Sequence, residues 1–283
     1  MDRSIVFVLV FIIVTSVAYY MWQESEAEKV LATTAEKQVE VPAKDTKKMA
    51  PAPEIRYPVP DPDPEVQQPV ESSDPPKPVV QPDPLPSLDE SDAALKLRLQ
   101  RHHPLEKLES LFLPREMIRH FVVTVDNLDG RKLARRYSIV RSPLTTFIVD
   151  KTGNADEFLL APANHDRYRP YMKFLEAVSD RQLLSIYVRF YPLFQEAYEE
   201  LGYPDRYFND RLIEIMDHLL ATPVIEGEIR LTRPKVYYQF ADSKLENLTA
   251  GQKILVRIGN DNAKIVRDRL TSLRTLLTTL GTG

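Results

Sequence analysis

Hydrophobic and polar positions change rhythm several times along the chain. Ile5 to Trp22 (IVFVLVFIIVTSVAYYMW) is a run of eighteen positions without a charge. At about 1.5 Å per residue such a run spans a bilayer core as a helix. Tyr19, Tyr20 and Trp22 close it, where amphipathic rings suit the headgroup layer. From Gln23 to Pro86 neither helical nor strand periodicity is present. From Ser87 regular apolar spacing begins and continues to the C terminus.

Within that last region the pattern predicts discrete elements. Ser87-Leu88-Asp89-Glu90 has the spacing of a capping box, so a helix is expected to open there. Further helices are expected after Pro104 and after Pro114, with the proline in the first turn. Between about Arg136 and Leu160 the β-branched and aromatic runs Tyr137–Val140, Thr146–Val149 and Phe158–Leu160, with turn chemistry at Lys151–Asn154, predict a small antiparallel sheet. Leu183, Tyr187, Phe190, Tyr191, Phe194, Tyr198 and Leu201 then recur at three- and four-residue steps, the mark of a long amphipathic helix. Pro192 inside it predicts a kink or break, Gly202 a left-handed closure, and Asp205 the cap of the next helix. A second strand pair is expected at Ile225–Leu231 and Val236–Phe240. Two helices follow, the last opening near Asn260 and burying Val266, Leu270, Leu273, Leu276, Leu277 and Leu280. The expected class is α+β, predominantly helical, with one or two small antiparallel β-hairpins, preceded by a transmembrane helix and a disordered proline-rich linker.

Composition sharpens this division. Of 23 prolines, fourteen lie between Pro42 and Pro86, whereas all 8 glycines lie at or beyond Gly130. Residues 23–86 carry 7 basic and 13 acidic side chains, and with proline fixing φ this segment reads as an acidic, disordered tether. The remainder, 87–283, has 29 basic and 27 acidic residues and is long enough for one domain with its own core. Arg3 before the apolar run and Glu24, Glu26 and Glu28 after it orient residues 1–4 to the cytoplasm, the 5–22 anchor across the membrane and the rest outside. Ser16-Val17-Ala18 also has the small residues of a signal-peptide cleavage site, but the apolar run continues past it, which favours an uncleaved anchor.

The chemistry on offer is limited. With no Cys there is no disulfide framework, thiolate nucleophile or Cys-ligated metal, and a net charge of -4 argues against nucleic acid as partner. No phosphate-cradling glycine loop, nucleophile elbow or His-Glu-x-x-His motif occurs, and no cofactor is called for. Two clusters remain as ligand or partner candidates. On one helical turn system, Asp210, Arg211, Glu214, Asp217 and His218 share an arc opposite Leu212, Ile213, Ile215, Met216, Leu219 and Leu220. Three carboxylates beside a histidine suit a divalent metal or proton transfer, whereas the structural reading is a solvated or interface-facing helix side. Asn164, His165, Arg167 and Tyr168 interleave polar, cationic and aromatic groups near a helix start, suited to a glycan or an anion. Capping by Asn164 or Asp166 accounts for much of that pattern without a ligand.

HFVVTVDNL (His120 to Leu128), YPLFQEAYEELGYPDRYFNDRLIEIMDHLLATP (Tyr191 to Pro223) and AGQKILVRIGNDNA (Ala250 to Ala263) resemble the bacterial domain of unknown function family 3014. The resemblance extends from Leu85 to the C terminus. It implies a Gram-negative envelope protein with an N-terminal membrane helix, a proline-rich linker and a single C-terminal domain, and brings no activity or catalytic residue with it. The sequence therefore favours a binding or scaffolding module held on a tether from the inner membrane, facing the periplasm, with the lipid bilayer contacted through residues 5–22. Its expected partner is an envelope protein or a cell-wall polymer. The alternative is an envelope hydrolase or metal-dependent enzyme using the arc on helix 206–221.

Overall fold

The computed structural model describes residues 54–60, 84–100, 110–113, 115–133, 135–138, 140–141, 143, 145–154 and 156–280. The expected membrane anchor, most of the tether and the helix expected after Pro104, apart from its helical end at Ser110 and Leu111, lie outside the described residues. Among the described residues no helix is long and apolar enough to cross a membrane.

Helices α1 (Ser91–Gln100) and α2 (Met117–Asp126) open the domain, followed by strands β1 (Val149–Lys151) and β2 (Glu157–Leu160). Next come α3 (Ala163–Asp166), α4 (Arg169–Ala177), α5 (Asp180–Glu200) and α6 (Phe208–Leu220). Strands β3 (Arg230–Thr232) and β4 (Gln239–Phe240) precede α7 (Ser243–Glu246), α8 (Ala250–Arg257) and α9 (Asn260–Thr279). The α+β class is as expected, but the two strand pairs join in a single antiparallel sheet of order β1-β2-β3-β4. Pairing of Phe158 with Leu231 links the halves, and Leu231 in turn faces Phe240. Leu160, Leu231, Phe240, Leu245 and Val256 form the small core beneath the sheet. Tyr137 belongs to a 3-10 turn instead of a strand, and Val140 makes only an isolated bridge with Phe112.

The larger core is aromatic. α2, α5, α6 and α9 pack on one another around Phe121, Tyr187, Phe194, Tyr198 and Phe208, all nearly inaccessible to solvent. The Phe208 ring lies 5.9 Å from Phe121, 6.0 Å from Phe194 and 5.5 Å from Tyr198. Each such pair adds about 0.5–1.5 kcal/mol to the burial term. α6 approaches α8 so closely at Gly251 that a Cβ there would lie 2.6 Å from Leu219 Cδ2 and 3.0 Å from the Leu128 carbonyl oxygen.

Several helix ends are built from remote side chains where the sequence pattern points to local ones. At the first helix, the Ser87 hydroxyl meets the Glu90 carboxylate at 3.3 Å, and a 3-10 turn (Leu88–Glu90) leads into α1. The expected proline start of α2 is displaced: Asp92 of α1 accepts the amides of Glu116 and Met117 at 2.6 and 2.8 Å. α5 runs unbroken through Pro192, because buried residues on either side hold it to the core. Gly202 closes it with φ 108°, as expected, but Asp205 does not cap α6. Gln195 of α5 instead accepts the amide of Phe208 at 2.9 Å, and the Tyr191 hydroxyl accepts that of Asn209 at 3.3 Å. In α9, Val266, Leu270, Leu273 and Leu277 are buried as expected, whereas Leu276 and Leu280 are only partly so.

Candidate functional site

Two faces separate on α6. Leu212, Ile213, Ile215, Met216 and Leu219 are buried in the core, which fixes the rotation of the helix and turns Asp210, Arg211, Glu214, Asp217 and His218 outward. The five polar residues do not form one cluster: Arg211 lies 3.7 Å from Glu214, whereas Asp217 and His218 engage other helices. Arg211 lies along the surface toward α2, donating to Asp126 Oδ1 at 2.9 Å, the Asp126 carbonyl at 2.7 Å and Asp129 Oδ1 at 3.0 Å. Burial works against its charge, but Asp129 and Asp126 outweigh that cost and hold its pKa above the usual value. Asp217 takes the Arg274 guanidinium of α9 with both oxygens, one at 3.0 Å. His218 Nε2 lies 2.8 Å from the hydroxyl of Thr249, the cap of α8. Among the described residues, no group of three or more His, Asp or Glu side chains is placed to hold a metal ion.

Asp210 and Glu214 have a different partner, a segment of the proline-rich region. Residues 54–60 (EIRYPVP) lie along the start of α6, with a bend at Arg56 and Tyr57. Asp210 grips two successive main-chain amides: its Oδ2 accepts Arg56 N at 3.0 Å and its Oδ1 accepts Tyr57 N at 2.9 Å. Asn209 Nδ2 donates to the Tyr57 carbonyl at 2.8 Å, and the Tyr207 hydroxyl accepts Val59 N at 2.7 Å. Every main-chain group engaged belongs to Arg56, Tyr57 or Val59, so Pro58, which has no N–H, falls where none is required. Tyr57 and Val59 are half-buried against the core, while Arg56, Pro58 and Pro60 are exposed. The Arg56 guanidinium reaches Glu214, a hydrogen bond that raises its pKa.

The receiving groups are held in place from beneath. Asn209 is fully buried, and its Oδ1 accepts the hydroxyl of Tyr187 at 3.0 Å, which aims its Nδ2 at the Tyr57 carbonyl. Burial pushes the pKa of Tyr187 well up, so it remains a neutral donor. The Tyr207 ring is braced 5.2 Å from Tyr191. Asp210 sits in the first turn of α6, where the helix dipole favours a carboxylate. With the segment in place its side chain is only 13% exposed, and the two amides and Arg56 are its partners there.

The second candidate cluster has another character. Asn164 is buried; its Nδ2 donates to the carbonyls of Ile148 (2.6 Å) and Ala161 (2.9 Å), and its Oδ1 accepts Ile148 N at 3.0 Å. Arg167, also buried, donates to Asn164 Oδ1 at 3.1 Å, to the Thr145 hydroxyl at 3.2 Å and to the Thr145 carbonyl. Tyr168 is buried, and desolvation pushes its pKa up to about 12. These groups clamp the chain before β1 onto α3; the N-cap of α3 is Pro162, with no side-chain capping bond from Asn164 or Asp166. The His165 ring is wedged beneath Gly259, and burial lowers its pKa. Beside it, an open cavity of about 300 Å³ is lined by His165, Asp166, Arg169 and the start of α9. Asp166 there is neutralised by Arg169 at 2.6 Å.

The sequence pattern located the arc but not its occupant, nor the part played by Tyr207 and Asn209. One signal was present: Ile55, Arg56 and Tyr57 are the only Ile, Arg and Tyr between Gln23 and Pro86. A cluster of large side chains in an otherwise uniform spacer marks a contact.

Fold and site together define an α+β domain that carries a peptide segment on the acidic edge of a core helix. Residues 117–274 match the family DUF3014, described as a protein of unknown function, and this match over more than half of the chain places the protein in that family. No curated protein and no solved structure matches it.

Proposed function

We propose that the protein is a tethered binding module of the cell envelope whose binding face is the edge of α6 formed by Tyr207, Asn209, Asp210 and Glu214. The observation that carries this reading is the docked segment. Four main-chain hydrogen bonds and one guanidinium–carboxylate pair hold residues 54–60 on that edge, so its polar groups are arranged for a peptide main chain. Anchoring through residues 5–22, with the domain on the periplasmic side, is supported by the charge-free apolar run and its aromatic end. The tether then gives the module reach toward an envelope protein or cell-wall polymer. The enzymatic alternative requires the arc carboxylates to cooperate. Asp210 and Glu214 are instead turned to Arg56 and Asp217 to Arg274.

The test is crosslinking in cells, with a photoreactive side chain at position 214 of the full chain on its native tether. The reading expects one or a few envelope partners to be captured reproducibly from that position and not from the opposite side of the domain. Capture of nothing reproducible from any surface position contradicts it.

A further inference from the structure

The docked segment is not part of the domain's folded core. Twenty-three residues, 61 to 83, separate it from the point where the described domain resumes. Its contacts are those of a ligand: main-chain groups satisfied by side chains of the receiving surface, two inward side chains and one charged anchor. The receiving surface also contains a fully buried amide, Asn209, aimed outward by the fully buried Tyr187. Beneath the docked segment that donor is closed off from water and requires an acceptor, which the Tyr57 carbonyl supplies.

Building on the reading of the domain as a binding module, we infer that residues 54–60 are a resident ligand occupying a peptide-recognition site. The same site takes a segment of matching chemistry, Arg-aromatic-Pro followed by a β-branched residue and bent at its first two positions, from a partner protein. Asp210 reads two adjacent amides, so the segment must bend there to turn both N–H groups to one side, and must carry no proline at those two positions. Pro58 marks the next position as one where an amide is not read. Glu214 selects a cation and the half-buried Tyr57 position an aromatic ring. A competing segment must displace the resident one. A connection of this length presents the resident at an effective concentration of about 1 mM. For a resident with a dissociation constant of about 0.1 mM, that competition weakens the apparent affinity for an incoming segment roughly tenfold.

The test measures fluorescence anisotropy of a labelled synthetic peptide, APEIRYPVPDP, against the full chain and two variants. In the first variant, Arg56→Glu with Tyr57→Ala disables the resident segment; the second adds Asp210→Asn. The expected result is weak binding to the native chain, roughly tenfold tighter binding to the first variant, and loss of that gain in the second. Circular dichroism and thermal unfolding establish that each variant is folded. A second way of emptying the site, replacement of residues 54–60 by Gly and Ser, guards against a local effect of the charge reversal. Failure of the peptide to bind either emptied chain overturns the inference and leaves residues 54–60 as a fixed brace. Equal binding to the native and emptied chains also overturns it, because the resident would then not compete. Partner capture in cells independent of Asp210 would leave the module reading standing while this inference fails.

Discussion

The two polar clusters differ in where their partners come from. Around Asn164 and Arg167, each described hydrogen bond ends on a residue within about twenty-two positions in the chain: Ile148, Ala161 and Thr145 for the most part. Around Asp210 the partners are Arg56 and Tyr57, more than 150 positions away. The first cluster is consumed by its own fold and is buried; the second is completed by a segment the domain core does not need. Residue types alone do not distinguish them, since both combine carboxamide or carboxylate, arginine and tyrosine. What separates them is whether the groups are satisfied before anything else arrives.

The comparison can be broken by substitution, and the interior cluster should give the largest effects. Asn164→Ala strips partners from the Ile148 amide and carbonyl and from Ala161, and a loss of about 2–4 kcal/mol is expected in denaturant unfolding. A loss below about 0.5 kcal/mol would return that cluster to the pool of ligand sites. Gly259→Ala comes next. Its φ of 82° disfavours any Cβ, which would also lie 2.6 Å from the His165 ring. About 1–3 kcal/mol should be lost, with a matching fall in Tm.

The long apolar helices and the turn residues were legible in the sequence because their period and chemistry are local. Asp180–Glu200 and Asn260–Thr279 follow directly from spacing. The starts of α2 and α6 were not legible, because Asp92, Gln195 and Tyr191 supply the capping groups from other helices. Of the binding face, the arc on α6 could be read from a helical wheel. Its occupant was marked only by the unusual Ile55-Arg56-Tyr57 run, since no local rule connects Arg56 with Glu214 and the surrounding prolines read as a spacer.

A pH titration sharpens the comparison at smaller amplitude. Burial lowers the pKa of His165 in the interior cluster, and likewise that of His120, where Glu116 and Asp92 pull the other way. Each therefore binds fewer protons folded than unfolded, so its contribution is complete above the ordinary value near 6.5 and is lost as pH falls through the lower folded value. Tm should fall between pH 7.5 and pH 5, and His165→Gln should flatten that slope. An unchanged slope would remove His165 from the account. The smallest effect on stability is expected from Asp210→Asn, under about 1 kcal/mol, because it releases a segment outside the core. A loss as large as that of Asn164→Ala would make residues 54–60 a structural element of the domain.

The most direct test of the α6 edge as a peptide-binding face is amide hydrogen exchange at Arg56 and Tyr57 in the full chain. Both amides should exchange well below the rate of free peptide in the native protein and return to that rate in the Asp210→Asn variant, with protection in α5 unchanged. Exchange at the free-peptide rate in the native chain would contradict the docked segment, and with it the binding face.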